Sequence, residues 1–185
     1  MLTAMNDDFP ILAAVAAQPT HPYALLDHLA ESGLPVTRST LYRRVDALLA
    51  QGWLSATDVR GENGHFRRAL ALTRRGREQL LGDCREVLAT AALESPLFAL
   101  AIAAFADAGP EALAAILKPR MAAAARTLTT EELALRQAEA GPAELARSRR
   151  IAHLQADIAW LQGLLGRRVV EPSSGREGPG ARASA

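Results

Sequence analysis

One cysteine, Cys84, stands among 185 residues, which excludes an intramolecular disulfide framework and points to a cytoplasmic setting. Spaced with Leu80, Leu81, Val87 and Leu88 on one helical pattern, it reads as a packing residue rather than a redox sensor. No apolar run reaches the roughly 20 residues of a membrane span. The most apolar stretch, 98–108, is broken by Asp107 and then by Gly109-Pro110. The first residues lack a charged segment leading into a long apolar core, so no secretion signal is read. His21, His28, His65 and His153 include no i, i+4 pair and none adjoins the cysteine or a carboxylate cluster, so no metal site is expected. Asp7-Asp8 and Glu131-Glu132 are adjacent, diverge on a helix and suit helix starts rather than acid and base work. Neither a phosphate-cradling glycine loop nor a nucleophile turn is present. The chain therefore reads as a protein without enzymatic chemistry and without a cofactor.

What the chain does have is concentrated at residues 37–52, TRSTLYRRVDALLAQG. At about 100° per residue, Leu41, Val45, Leu48 and Leu49 fall on one apolar side. Ser39, Thr40 and Arg43 point away from it, and Tyr42 and Arg44 lie at the boundary. Arg38 sits near the apolar side but at the helix start, where a long side chain can swing out. Thr37 is placed to cap this helix and Gly52 to stop it. Arginine can donate twice to a guanine edge, and hydroxyls can bond base edges or phosphate oxygens. Alone, the pattern is equally that of a solvated amphipathic helix.

The order of the neighbours favours recognition. Two short helical patterns precede it, 8–17 and 21–32. Two strand-like segments follow, 53–59 and 65–72, linked through Arg60 and the turn-forming Gly61-Glu62-Asn63-Gly64. Three helices and a hairpin make a winged helix-turn-helix, in which the third helix enters the major groove and the hairpin reaches the neighbouring backbone. Charge gathers on the same segment. Between 37 and 77 there are nine arginines and no lysine, against Asp46, Asp58 and Glu62, an excess of six in a chain whose net charge is +1. Such a local excess is the footprint of phosphate binding.

The run ILAAVAAQPTHPYALLDHLAESGLPVTRSTLYRRVDALLAQGWL, followed by FRRALALTRRG, resembles the PadR family of bacterial transcriptional regulators. The carriers are an aliphatic first helix, H-x-Y opening the second, S-x-LYR in the third, the glycine exit and LT-x-x-G after the hairpin. More loosely, RIAHLQADIAWLQGLL is similar to the closing helix of members with a larger C-terminal domain. Pro22 stands where the family usually has glycine, and Ala69 and Leu70 where a tyrosine is common. The resemblance implies a DNA-binding regulator, mostly a repressor, that dimerises through its first and last helices and responds to small hydrophobic molecules.

The second half reads as helical. One pattern runs over 73–93, a second opens at Ser95-Pro96, and a third starts at Glu111. Lys118-Pro119 should kink or break the third, while Thr129 with Glu132 has capping-box spacing, so 111–140 is one bent helix or two. In the last pattern, 143–165, Ile151, Leu154, Ile158, Leu161 and Leu165 repeat at spacings of three and four, a seam for another helix. That helix is either a second copy's or the chain's own. Beyond Arg168 a Gly, Pro, Ser and Ala-rich tail reads as disordered.

The expected architecture is thus mainly α. A flexible 1–7 leads into a winged helix over 8–90, a helical dimerisation and effector domain over 91–168, and a tail over 169–185. Ser39, Thr40 and Arg43 are expected on base edges, with Arg38, Tyr42 and Arg44 on phosphates. His65 and Arg67 would meet the flanking backbone or minor groove of double-stranded DNA. The operator would be an imperfect palindrome with half-sites ~34 Å apart, read by a homodimer. Trp160, Phe98, Phe105 and Met121 are available to line an apolar effector pocket. Rival readings are a winged helix that docks an acidic protein, and a small-molecule carrier or enzyme built on the helical half.

Overall fold

A computed structural model describes residues 8–17, 20–60 and 66–166. Along them run α1 (Phe9–Ala17), α2 (Pro22–Glu31), α3 (Arg38–Ala50), β1 (Leu54–Arg60), β2 (Phe66–Leu72), α4 (Arg74–Thr90) and α5 (Pro96–Phe105). A 3-10 turn (Ala106–Ala108), α6 (Pro110–Arg136) and α7 (Pro142–Gly166) complete the order. The fold is mainly α, with three helices and a hairpin ahead of a helical region. The ends expected to be flexible, 1–7 and 169–185, and the hairpin link at 61–64 lie outside the described residues.

Local chemistry sets the element boundaries. The N–H of Ala24 donates to His21 Nδ1 at 3.1 Å and Pro22 occupies the first turn of α2, where its missing donor costs nothing. Thr37 Oγ1 accepts from the Thr40 N–H at 3.3 Å and so caps α3. At the other end Gly52 takes φ 72°. The N–H groups of Gly52 and Trp53 then close on the Leu49 and Leu48 carbonyls, both at 3.0 Å, a pair of bonds that needs a left-handed residue between helix and strand. Ser95 Oγ accepts from the Leu97 N–H and starts α5.

The core begins with α1, whose Phe9, Ile11, Leu12, Ala13, Ala14 and Val15 are all buried. A helix apolar on nearly every side must be enclosed, and α1 packs against α2, α4, α5 and β2. Leu25 and Leu29 of α2, Leu41 and Leu48 of α3, Leu70 of β2 and Leu88 of α4 close around it without exposure. The strands pair antiparallel from Leu54↔Leu72 at the base to Arg60↔Phe66 at the tip. Only Leu54 of β1 is buried, so β1 is the outer strand and β2, through Leu70, is the one that meets the core. The root of the hairpin is held by a bridge that the periodicity does not foretell, in which Thr20 and Leu70 exchange both backbone hydrogen bonds, at 3.3 and 2.7 Å.

Segment 111–140 contains one helix, not two, with Pro119 inside it. Proline leaves the Ala115 carbonyl without its helical donor, and Ala115 is exposed, so water can serve it. Thr129 does not cap a new helix; its hydroxyl donates back to the Ala125 carbonyl at 3.2 Å. Glu131 accepts from Arg147 at 2.8 Å and Arg150 at 2.9 Å, tying α6 to α7. The hydrogen bond from Arg150, ahead of that from Arg147, holds the Glu131 carboxyl below its ordinary range. Arg120 of α6 donates to the Leu88 carbonyl at 2.8 Å and to that of Ala91, satisfying the C-terminus of α4. Its guanidinium lies 5.1 Å from the Phe98 ring centre, and Phe98 meets Trp160 of α7 edge-on at 5.9 Å.

Candidate nucleic-acid interface

The exit from the hairpin fixes how the wing sits beside α3. Thr73 caps α4 by accepting from the Gly76 N–H at 3.0 Å. Its hydroxyl also donates to the Gly52 carbonyl at 2.7 Å and approaches that of Trp53 at 3.2 Å. Gly76 is then pressed so closely on the link from α3 to β1 that a Cβ built there would lie 1.9 Å from the Trp53 carbonyl oxygen. The L-T-x-x-G motif is thus a clamp in which a hydroxyl and an absent side chain bring helix, strand and strand together.

On α3 the inner face is as the helical wheel requires. Leu41, Val45 and Leu48 are buried and Leu49 is half-buried. Arg38, Ser39, Tyr42 and Arg43 are exposed, while Thr40 is half-buried. Thr37 Oγ1 lies 2.9 Å from Thr40 Oγ1 and 3.2 Å from Ser39 Oγ, so three hydroxyls cluster at the helix start. Arg38 swings outward over the Tyr23 ring, 5.7 Å from its centre. Arg44 turns the other way, toward the start of α1, where it donates to Asp8 Oδ1 at 2.8 Å. His65 and the side chain of Arg67 lie outside what is described; Arg67 occupies the register position opposite Val59.

Sequence reasoning passed over Tyr23, 57% exposed, and Arg68, which reaches from β2 to within 3.8 Å of Asp46 on α3. Tyr23 was legible only as part of a motif. Its neighbour Arg38 sits fifteen residues on, and the turn between α2 and α3 brings them together.

The helical half divides its apolar residues. Ile151 and Leu161 of the α7 seam are buried, Leu154, Ile158 and Leu165 are half-buried, and α7 packs chiefly on α6. Trp160 stays 48% exposed, with Leu133 and Leu145 also open to solvent. Phe98 and Phe105 are buried in the core and Met121 is half-buried against it. Cys84 is buried, and burial pushes its thiol up to about 12. Among the described residues no group of three acidic, histidine or cysteine side chains could hold a metal ion, and no helix is long and apolar enough to cross a membrane.

Residues 11–81 match the family described as the transcriptional regulator PadR-like family. A search of curated protein sequences finds no match. Among solved structures, similarity is found to Bacillus subtilis PadR in complex with operator DNA, at 13% identity and TM-score 0.39 over 85% of this chain and 97% of that one. The same protein without a stated ligand gives 13% and 0.37 over 89% and 96%. In complex with p-coumaric acid it gives 13% and 0.35 over 85% and 95%.

Proposed function

We propose that the chain, whose residues 11–81 match the transcriptional regulator PadR-like family, is a sequence-specific, homodimeric repressor released from its operator by a small hydrophobic effector. The observation that carries the reading is the outward face of α3, where Ser39, Tyr42 and Arg43 are exposed, with the exposed strand β1 following it. Arg43 and Ser39, with Thr40 behind them, read base edges in the major groove. Arg38 and Tyr42 hold phosphates and set the register, and His65 and Arg67 reach the flanking backbone or minor groove. Arg44 acts from one step back, since its bond to Asp8 ties α3 to the start of α1.

Two heads are needed to read a palindrome. The exposed Trp160 beside the half-buried Leu154, Ile158 and Leu165 supports pairing through α7. Trp160 and Met121 are the accessible members of the effector set; Phe98 and Phe105 serve it as core. A regulator of this kind works in the cytoplasm.

Titration of the full chain against labelled duplexes tiling the region upstream of its own gene, and against a random duplex, tests the reading. One tile is expected to bind at least ~10³-fold more tightly than random DNA. Arg43→Ala should cost roughly 1–3 kcal/mol and relax preference at one base pair, whereas Arg67→Ala should weaken all duplexes alike. Uniform binding to every tile, with both variants losing equally, would overturn the assignment and favour an acidic protein as the partner of the arginine-rich face.

A further inference from the structure

The chain has two tyrosines, and both line one cleft. It lies between the first turn of α2, the outer face of α3 and β2, measures about 560 Å³ and is walled by His21, Tyr23, Tyr42, Asp46 and Arg68. Neither ring is spent on the core, since Tyr23 is 57% and Tyr42 42% exposed. We propose that this cleft seats a backbone phosphate of bound DNA, with Tyr23 as the residue that organises it. The proposal rests on the DNA-binding reading above.

The donor inventory makes the case. His21 Nδ1 is occupied as acceptor of the Ala24 N–H, so the ring proton of the neutral imidazole sits on Nε2, which is left as a donor. Each tyrosine hydroxyl can donate to an anionic oxygen. Arg68 meets Asp46 only loosely, at 3.8 Å with both side chains more than half exposed, a pair that holds little of the guanidinium's capacity. Asp46, the one carboxylate among the described wall residues, opposes an anion and is offset only in part by Arg68, whereas the other polar groups there, from His21, Tyr23, Tyr42 and Arg68, can all donate. A phosphodiester, with one negative charge shared by two acceptor oxygens and no donors, is the complement of those donors; a donor-rich ligand is not.

Position agrees with chemistry. A helix lying in the major groove has a strand backbone running past the helix that precedes it, and the cleft is where α2 begins beside α3. Tyr23 has a second effect. Its ring lies under the Arg38 guanidinium, 5.7 Å from its carbon, so one side chain both faces the cleft and steadies the arginine at the start of α3.

The test uses the full chain, the tightest-binding upstream duplex and a random duplex of equal length, across a salt series. Tyr23→Phe keeps the ring over Arg38 and removes only the hydroxyl; it should weaken both duplexes by about 3- to 10-fold with an unchanged salt slope. Arg68→Ala should weaken both and lower the slope of log Kd against log salt by about one. Asp46→Asn should tighten both. Replacing operator phosphates one at a time by neutral methylphosphonate should locate a single position at which wild type and Tyr23→Phe bind equally. If Tyr23→Phe binds as wild type, or loses affinity at particular base pairs only, the phosphate seat is refuted while DNA recognition stands. If the wild type binds neither duplex, DNA recognition itself has failed and the seat with it.

Discussion

Gly76→Ala should destabilise the protein even though helix propensity says the reverse. In an open helix the change gains about 1 kcal/mol. Here the new Cβ would stand 1.9 Å from the Trp53 carbonyl oxygen and 2.9 Å from its carbon, so the two must part by more than about 1 Å to reach even the closest tolerated contact. That oxygen is fixed by the Thr73 N–H at 3.1 Å and approached by the Thr73 hydroxyl at 3.2 Å. Overpacking costs typically 1–3 kcal/mol and loosening two such bonds about 1 kcal/mol each. After the propensity gain a net loss of about 2–4 kcal/mol remains. For a chain of this length that is a fall in Tm of roughly 5–15 °C. Gly82 is the control on the same helix, because a Cβ there meets nothing within 4 Å. Gly82→Ala should raise stability by about 0.5–1 kcal/mol. Circular-dichroism melts and urea midpoints of the three proteins decide it. A Gly76→Ala protein melting at or above wild type would refute the clamp, and with it the account of how the wing is held beside α3.

Thr37→Ala should cost about 0.5–2 kcal/mol by removing the cap of α3 and should weaken operator binding, read by melting and titration, because the recognition turn frays first. The Glu131 carboxyl lies below its ordinary 4.5, so its stabilising effect is complete above that value and disappears as pH falls through the lower, folded one. Urea midpoints of wild type and Glu131→Gln should therefore differ at neutral pH and converge in acid; a gap that widens on acidification would contradict the sign. With its thiol buried and pushed up to about 12, Cys84 should react with a thiol reagent at pH 8 only as fast as the protein opens. Labelling in native buffer at the rate seen in urea would show the site to be accessible.

Helix starts and stops were legible because their causes are local: a hydroxyl three residues ahead of an N–H, a proline in a first turn, a glycine after a last one. The inner face of α3 followed from periodicity for the same reason. Long-range choices were not. Thr20 pairs with Leu70 across fifty residues, and nothing near Thr20 announces a strand. Asp8 turns Arg44 from the boundary of α3 toward α1. Pro119 looked like a break, but the carbonyl it orphans lies on an exposed face, where water replaces the lost donor. Composition reveals that Phe98 and Phe105 are large and apolar, not how deeply the core encloses them. The helical seam of α7 divided similarly: its period identified a packing face, while α6 determined how much of that face was taken.

Helix α4 touches both ends of the molecule's business. Its first turn is the glycine seat that fixes the root of the wing, and its last carbonyls are gripped by Arg120, which leans on Phe98 and through it on Trp160 of α7. Seventeen residues make a rod of roughly 25 Å. Pivoted at the Arg120 end by only ~10°, such a rod carries its far end about 4 Å, comparable with the rise of one base pair. A rearrangement between α6 and α7 too small to alter any helix would thus be magnified into a displacement of the root of the wing, with rigid geometry as the only transmission.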